Sequence, residues 1–283
     1  MTGKNDVSRT ISADEYSELK REEKTEVFDL LSNATQKLLS PDRLKEYADK
    51  QAQLFRHSVS NVLLIMEQAP EATWVRSYDD WKAEGVTVLK GETGIKTLGS
   101  YRFQKEDGTM GIGTRVVKMF DVKQTVLKDF DIGSPSYIKV PDVIMNTYPA
   151  SVEVQDLPDG ELAIYDPKDK LIRVKEGLDP ATRVFVIARE HAIETMTGNG
   201  YNSRESVLPQ AEMAAYILTK RYGFETPEVD FGRMTETYPG KEEKDVRGQL
   251  VSIRVSAETI DRRVREALEL DRSSKLRDDR DAR

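Results

Sequence analysis

The 283-residue chain contains no cysteine. This excludes a disulfide framework, a thiol nucleophile and every cysteine-bearing zinc site, and it fits the reducing cytoplasm. Histidine is nearly as scarce, with only His57 and His191, which lie in different halves of the chain. Aromatic residues amount to 7%. Long hydrophobic runs are also missing: no stretch approaches the roughly 18 apolar residues that would span a bilayer. No apolar secretory core follows the N-terminal "MTGKNDVSRT". What the chain has is charge. Charged residues make up 33% of it against 38% hydrophobic, and the net charge is −7. The length allows one large domain or two modest ones with a sizeable core. The acidic balance argues against coating nucleic acid with the whole surface but leaves room for a local basic face.

Helical signals dominate the first 70 residues. Ser12 with Glu15 three positions on forms a capping box, and Val27, Leu30, Leu31, Leu38 and Leu39 share one helical stripe. Pro41 opens a second helix where its missing donor is harmless, and "NVLLIMEQAP" reads as a short buried helix closed by Pro70. The segments "ATWVRSY", "VTVLKG", "GIKTLGSYRFQ" and "GIGTRVVKMFDV" then give strand and hairpin signals punctuated by glycine. Residues 129–149, with three prolines, read as a linker, so residues 1–135 are expected to form a separable unit. A second unit over 150–235 offers three strands joined by Pro-Asp-Gly and Pro-Lys-Asp turns. Two helices follow, stopped by Gly198 and Gly223. In the tail, 241–283, Val246, Leu250, Ile253, Ala257, Ile260, Val264 and Ala267 alternate at four and three, a seam suited to packing on its own domain. Ser256 is a candidate cap that would break this helix in two, and the charged stretch beyond Asp271 is expected to fray. The fold class is α+β: N-terminal helices with a small antiparallel sheet, a helix/sheet domain, and a C-terminal helix.

Between Lys82 and Lys128 nine basic residues stand against five acidic ones. In "SYRFQ" a strand would put Tyr101 and Phe103 on one face and Arg102 on the other. Single-stranded nucleic acid calls for such a mixture, aromatic platforms for bases and cations for phosphates. The competing reading is ordinary: strand aromatics commonly belong to a core, and exposed lysines to a solvated face. The glycine-bearing Lys90-Gly91-Glu92-Thr93-Gly94 lacks Walker spacing and reads as a turn, so no nucleotide cofactor is expected.

Several boxes carry a family likeness: "FRHSVSNVLLIMEQAPEATWVRSYDDW", "KGETGIKTL" and "KMFDVKQT". Together they resemble the N-terminal single-stranded-DNA-binding domain of ArdC-type antirestriction proteins, also found fused to plasmid primases and in phage polyvalent proteins. The features that match include Ser58, Asn61, Trp81, Lys90, Gly91, Glu92, Phe120, Asp121, Gln124 and Thr125; His57 departs from the family's tyrosine. The resemblance implies single-stranded-DNA binding, for which the candidate contacts are Arg56, Ser58, Asn61, Lys90, Lys96, Tyr101, Arg102, Phe103, Arg115 and Lys118. On local chemistry alone, Ser58 and Asn61 read as helix-cap or turn residues, and His57 as a hydrogen-bonded structural residue.

A zincin-like metallopeptidase domain commonly follows in such proteins. "AREHAIETM" resembles its His-Glu-x-x-His helix, and "QAEMAAYILTKRYGFET" the helix after it. That motif needs two histidines four apart facing one metal, with the glutamate polarising the bound water. Here Arg189 and Ile193 stand in the histidine positions, and only Glu190 is in place. Arg189 brings fixed positive charge to the cation's position and Ile193 has no lone pair. His191 points about 200° around the helix from Arg189 at about 100° per residue. A substitute set of His191, Glu194 and Glu212 remains open as a weak metal site. The competing reading pairs Arg189 with Glu212 or Glu190 and fills the second position with Ile193. The resulting expectation is a non-enzymatic protein without cofactor that acts on single-stranded DNA of a mobile element or phage. Its rivals are an interaction protein binding a host or element-encoded partner, and a peptidase with substituted ligands.

Overall fold

The computed structural model describes residues 12–128, 139–146, 150–198 and 202–281, with side chains as far as residue 269. Three helices open the fold: α1 (Ala13–Lys37), α2 (Pro41–Gln53) and α3 (Val59–Gln68). The Ser12–Glu15 capping box starts α1, and Ser58 accepts the Asn61 N–H at the start of α3. Then come β1 (Val75–Ser77), α4 (Tyr78–Ala83), β2 (Ile95–Gln104) and β3 (Met110–Asp121). The strands form an antiparallel sheet of order β1-β3-β2, in which β2 and β3 make a long hairpin.

The second half contains α5 (Val140–Val143), β4 (Ser151–Val154), β5 (Ala163–Asp166), β6 (Leu171–Val174), α6 (Pro180–Thr197), α7 (Arg204–Arg221), α8 (Gly232–Thr235) and α9 (Glu243–Asp281). Its sheet has order β4-β6-β5, with β4 parallel and β5 antiparallel to β6. The architecture is α+β, as the sequence pattern indicates.

Several local expectations change. "VTVLKG" forms no strand, only an isolated bridge between Val88 and Thr125. The described part of 129–149 includes α5, whose Val140, together with Ile144 beyond its end, is wholly buried. Ser256 does not break the tail: it is buried inside an uninterrupted α9, which extends to Asp281 rather than ending near Asp271. The apolar seam of α9 prevails over the capping preference because Val246, Leu250, Ile253, Ala257, Ile260 and Val264 are all buried.

One hydrophobic core joins both halves of the chain, from Val27 in α1 to Val264 in α9. The helix α2 packs on α7, and α9 lies against α1, α3, α6 and α7. Polar links cross the same junction. Tyr216 donates its hydroxyl to Asp49 at 2.7 Å, Arg247 donates to the Thr35 hydroxyl at 3.0 Å, and Ser32 donates to Glu243 at 2.6 Å. The separation suggested by the prolines therefore exists along the chain, while the packed interior is shared.

Candidate nucleic-acid interface and the Glu190 helix

The outer half of the β2–β3 hairpin stands clear of the core, and burial along β2 stops after Gly99 and its neighbours. At its base, α3 closes the open edge of β2 with two side-chain amides. Asn61 donates Nδ2–H to the Leu98 carbonyl (3.0 Å), and its Oδ1 accepts the Leu98 N–H (2.8 Å). Gln68 makes the same pair of bonds to the Lys96 backbone, at 2.8 and 2.9 Å. The two amides imitate a neighbouring strand and protect an edge that would otherwise be exposed. Asn61 is 7% exposed and fully committed, so it offers nothing to a base; Ser58 is the helix cap. The local reading of both as helix-start chemistry thus accounts for their polar atoms without a ligand. Replacing Asn61 by alanine strands a buried N–H and C=O, and thermal unfolding should show a loss of about 2 kcal/mol.

Beyond that base, Tyr101 and Phe103 lie on one face, 43% and 42% exposed. Their rings rest on the opposite strand at glycine. Tyr101 pairs with Gly113 and Phe103 with Gly111, and a Cβ at either glycine would meet the ring at 2.5 or 2.7 Å. No other residue permits this approach. The ring centroids are 5.9 Å apart with 42° between planes, which makes one continuous aromatic surface. Arg115, opposite Gly99, projects on the same face and is exposed.

The other candidate cations do not share that face. Lys96 and Lys118 sit directly across from one another on the opposite side, together with Arg102. Lys96 is engaged by Glu26 of α1 at 2.9 Å. Glu23 of α1 is held below the usual carboxylate range, chiefly by its hydrogen bond from Lys20, with Lys96 and Lys118 adding their charge. Lys90 lies in the turn Leu89–Glu92, before β2 and away from the hairpin tip. Arg56 is exposed beside α2's C-terminal end. His57 donates its Nε2–H to the Val75 carbonyl at 2.9 Å, and burial lowers its pKa.

The second candidate region is α6. Glu190 is completely buried and lies between two guanidinium groups. Arg189 donates to it at 2.9 Å and to the Ala163 carbonyl at 3.2 Å. Arg204, the first residue of α7, binds the same carboxylate through both terminal nitrogens at 2.5 and 2.9 Å. The Tyr165 N–H completes the shell at 2.8 Å, tying β5 to α6. The hydrogen bonds that Arg204 donates to Glu190, with the charge of that carboxylate, raise the pKa of Arg204. The sequence reading had Glu190 or Glu212 as partner of Arg189 and did not include Arg204. Glu212 instead pairs with Arg233 at 3.3 Å, while Ile193 is packed in the core.

These residues do not fit the divalent cation that a zincin-like helix implies. Two permanent cations already neutralise the only acid in the motif. The substitute set fares no better: His191 contacts Glu194 at 3.5 Å, and Glu194 accepts from Arg263 of α9 at 3.1 Å. Burial lowers the pKa of His191, against the opposing pull of Glu194. Among the described residues no three His, Asp or Glu side chains converge as a metal site.

The structure thus combines a protruding aromatic hairpin on a helical base with a helix pair, α6 and α7, joined through a carboxylate held by two guanidinium groups. Residues 22–130 match the family model for the N-terminal domain of anti-restriction factor ArdC. The fold is similar to the crystal structure of antirestriction ArdC protein from R388 plasmid in its metal-free form. The TM-score is 0.57 at 14% identity, over 84% of this chain and 98% of that one. The Mn(II)-bound structure of the same R388 protein gives the same TM-score and identity over 83% and 98%. No curated protein matches the sequence. Residues 22–130 therefore carry the ArdC N-terminal domain, and the chain as a whole shares the fold of the R388 protein. Among the described residues no helix is long and apolar enough to cross a membrane.

Proposed function

We propose that this protein is a non-catalytic single-stranded-DNA-binding member of the family, acting in antirestriction or in the transfer and replication of mobile-element or phage DNA. The observation that carries the reading is the Tyr101–Phe103 surface laid over Gly113 and Gly111, with Arg115 beside it. Exposed rings on a projecting ribbon gain little by folding and are suited to stack on unpaired bases. The non-catalytic part rests on Arg189 and Arg204 closing around Glu190, which leaves that carboxylate no lone pair for a metal-bound water. The Mn(II) in the R388 relative's structure therefore has no counterpart site proposed in this chain.

Affinity for labelled single strands, measured against salt, tests the reading. Tyr101→Ala and Phe103→Ala should each weaken binding by about 1–3 kcal/mol with the salt slope unchanged. Arg115→Ala should lower the log–log slope by about 0.7. Melting temperatures should stay near wild type for the two ring variants because both side chains are exposed. Wild-type affinity and slope in all three variants would remove the hairpin from the binding site and favour a protein partner instead.

A further inference from the structure

Two cavities, of about 560 and 300 Å³, meet at Phe55 and Arg56 to form one cleft. One wall is the end of α2 and β1; the other is α9, with Arg221 of α7 between them. Five arginines line it: Arg56, Arg76, Arg221, Arg262 and Arg265. Three acids do as well, but each is already engaged. Asp261 accepts from Arg221 at 3.1 Å and from Arg265 at 2.9 Å, Glu258 pairs with Arg254, and Asp80 accepts the Ser77 hydroxyl at 2.6 Å. Arg76 is likewise paired, with Glu84. Arg56 and Arg262 are exposed, and neither meets a carboxylate among the described residues. A protein of net charge −7 thus keeps two unneutralised guanidinium groups on one cleft.

The walls also carry flat surfaces. Arg221 lies 4.2 Å from the Phe55 ring centroid, and Arg76 lies 4.8 Å from that of the half-buried Trp74. Met119 of β3 lines the same cleft. By the two-residue period of the strand, Met119, Val117, Arg115 and Gly113 lie on one face, the face that bears Tyr101. The aromatic side of the hairpin therefore leads into the cleft.

We infer that a single strand bound at the hairpin continues along β3 into this cleft. There Arg56 and Arg262 hold phosphates, and the Trp74–Arg76 surface receives a base. The inference rests on the hairpin reading above and extends it. It makes α9, far outside the matched residues 22–130, part of the nucleic-acid interface.

The test uses the full chain and labelled single-stranded DNA of about 6 and about 20 nucleotides, lengths that bracket one binding module. The Arg56→Ala/Arg262→Ala double variant should bind the long strand at least tenfold more weakly. Its log–log salt slope should be smaller by about 1.4, two contacts at about 0.7 each. Tyr101→Ala should weaken both lengths. Wild-type affinity and slope in the double arginine variant, alongside weakened binding by Tyr101→Ala, would overturn the cleft and leave the hairpin standing. A loss in the double variant with no effect of Tyr101→Ala or Phe103→Ala would keep the cleft and refute the hairpin. Failure of the wild-type protein to bind either strand would overturn both.

Discussion

Arg204→Ala should lower the unfolding free energy by about 3 kcal/mol, near the lower end of the range for breaking a buried ion pair from one side. The carboxylate of Glu190 is wholly buried and would lose its bidentate partner, keeping Arg189 and the Tyr165 N–H. Arg189 cannot replace the missing contacts, because its guanidinium is also bound to the Ala163 carbonyl. The two-sided change behaves differently. Replacing Arg189, Glu190 and Arg204 together by methionine or leucine removes the charge that needs a partner, and such replacements are often neutral or stabilising by about 1–4 kcal/mol. Denaturant unfolding of both variants separates the cases. A single variant as stable as wild type would show that the network is incidental and that the carboxylate finds solvent.

The elements that were legible in the sequence are those whose pattern is local. The ends of α6 and α7 follow from their glycine stops, and the α9 seam from its spacing. The alternation of Tyr101, Arg102 and Phe103 correctly divided the faces of β2. What failed were sums over sequence. A local excess of positive charge does not make one patch, because a strand sends neighbouring cations to opposite faces, and Lys96 is engaged by α1. Asn61 reads locally as a helix-cap or turn residue. A polar residue within "NVLLIM" needs a buried partner, and the partner proved to be a strand edge 37 positions away. Arg204 carried a usable signal. A cation in the first turn of a helix opposes the helix dipole, which indicates that an anion elsewhere holds it there. Ser256 shows the reverse, a good cap overruled by the continuous apolar stripe around it.

A chain ending at residue 135 should lose cooperative folding, although Pro135 and the two prolines that follow it suggest a clean boundary. The helix α3 is the reason. Val59, Val62, Leu63, Leu64, Ile65 and Met66 are buried all around its axis, so it needs cover on every side. The hairpin and α1 cover part of it and α9 covers another part, while α2 rests on α7. Truncation removes α7 and α9 together. Each large apolar side chain uncovered costs about 1.5–3 kcal/mol, and a domain's whole stability is about 5–15 kcal/mol. A few such exposures are enough to cancel it. The truncated chain should therefore bind hydrophobic dyes and melt without a sharp transition, whereas the full chain should unfold in one step, since a single core runs from Val27 to Val264. A soluble 1–135 fragment with a steep melting curve and dispersed amide resonances would show the opposite: that the N-terminal helices and sheet carry enough of the core to stand alone.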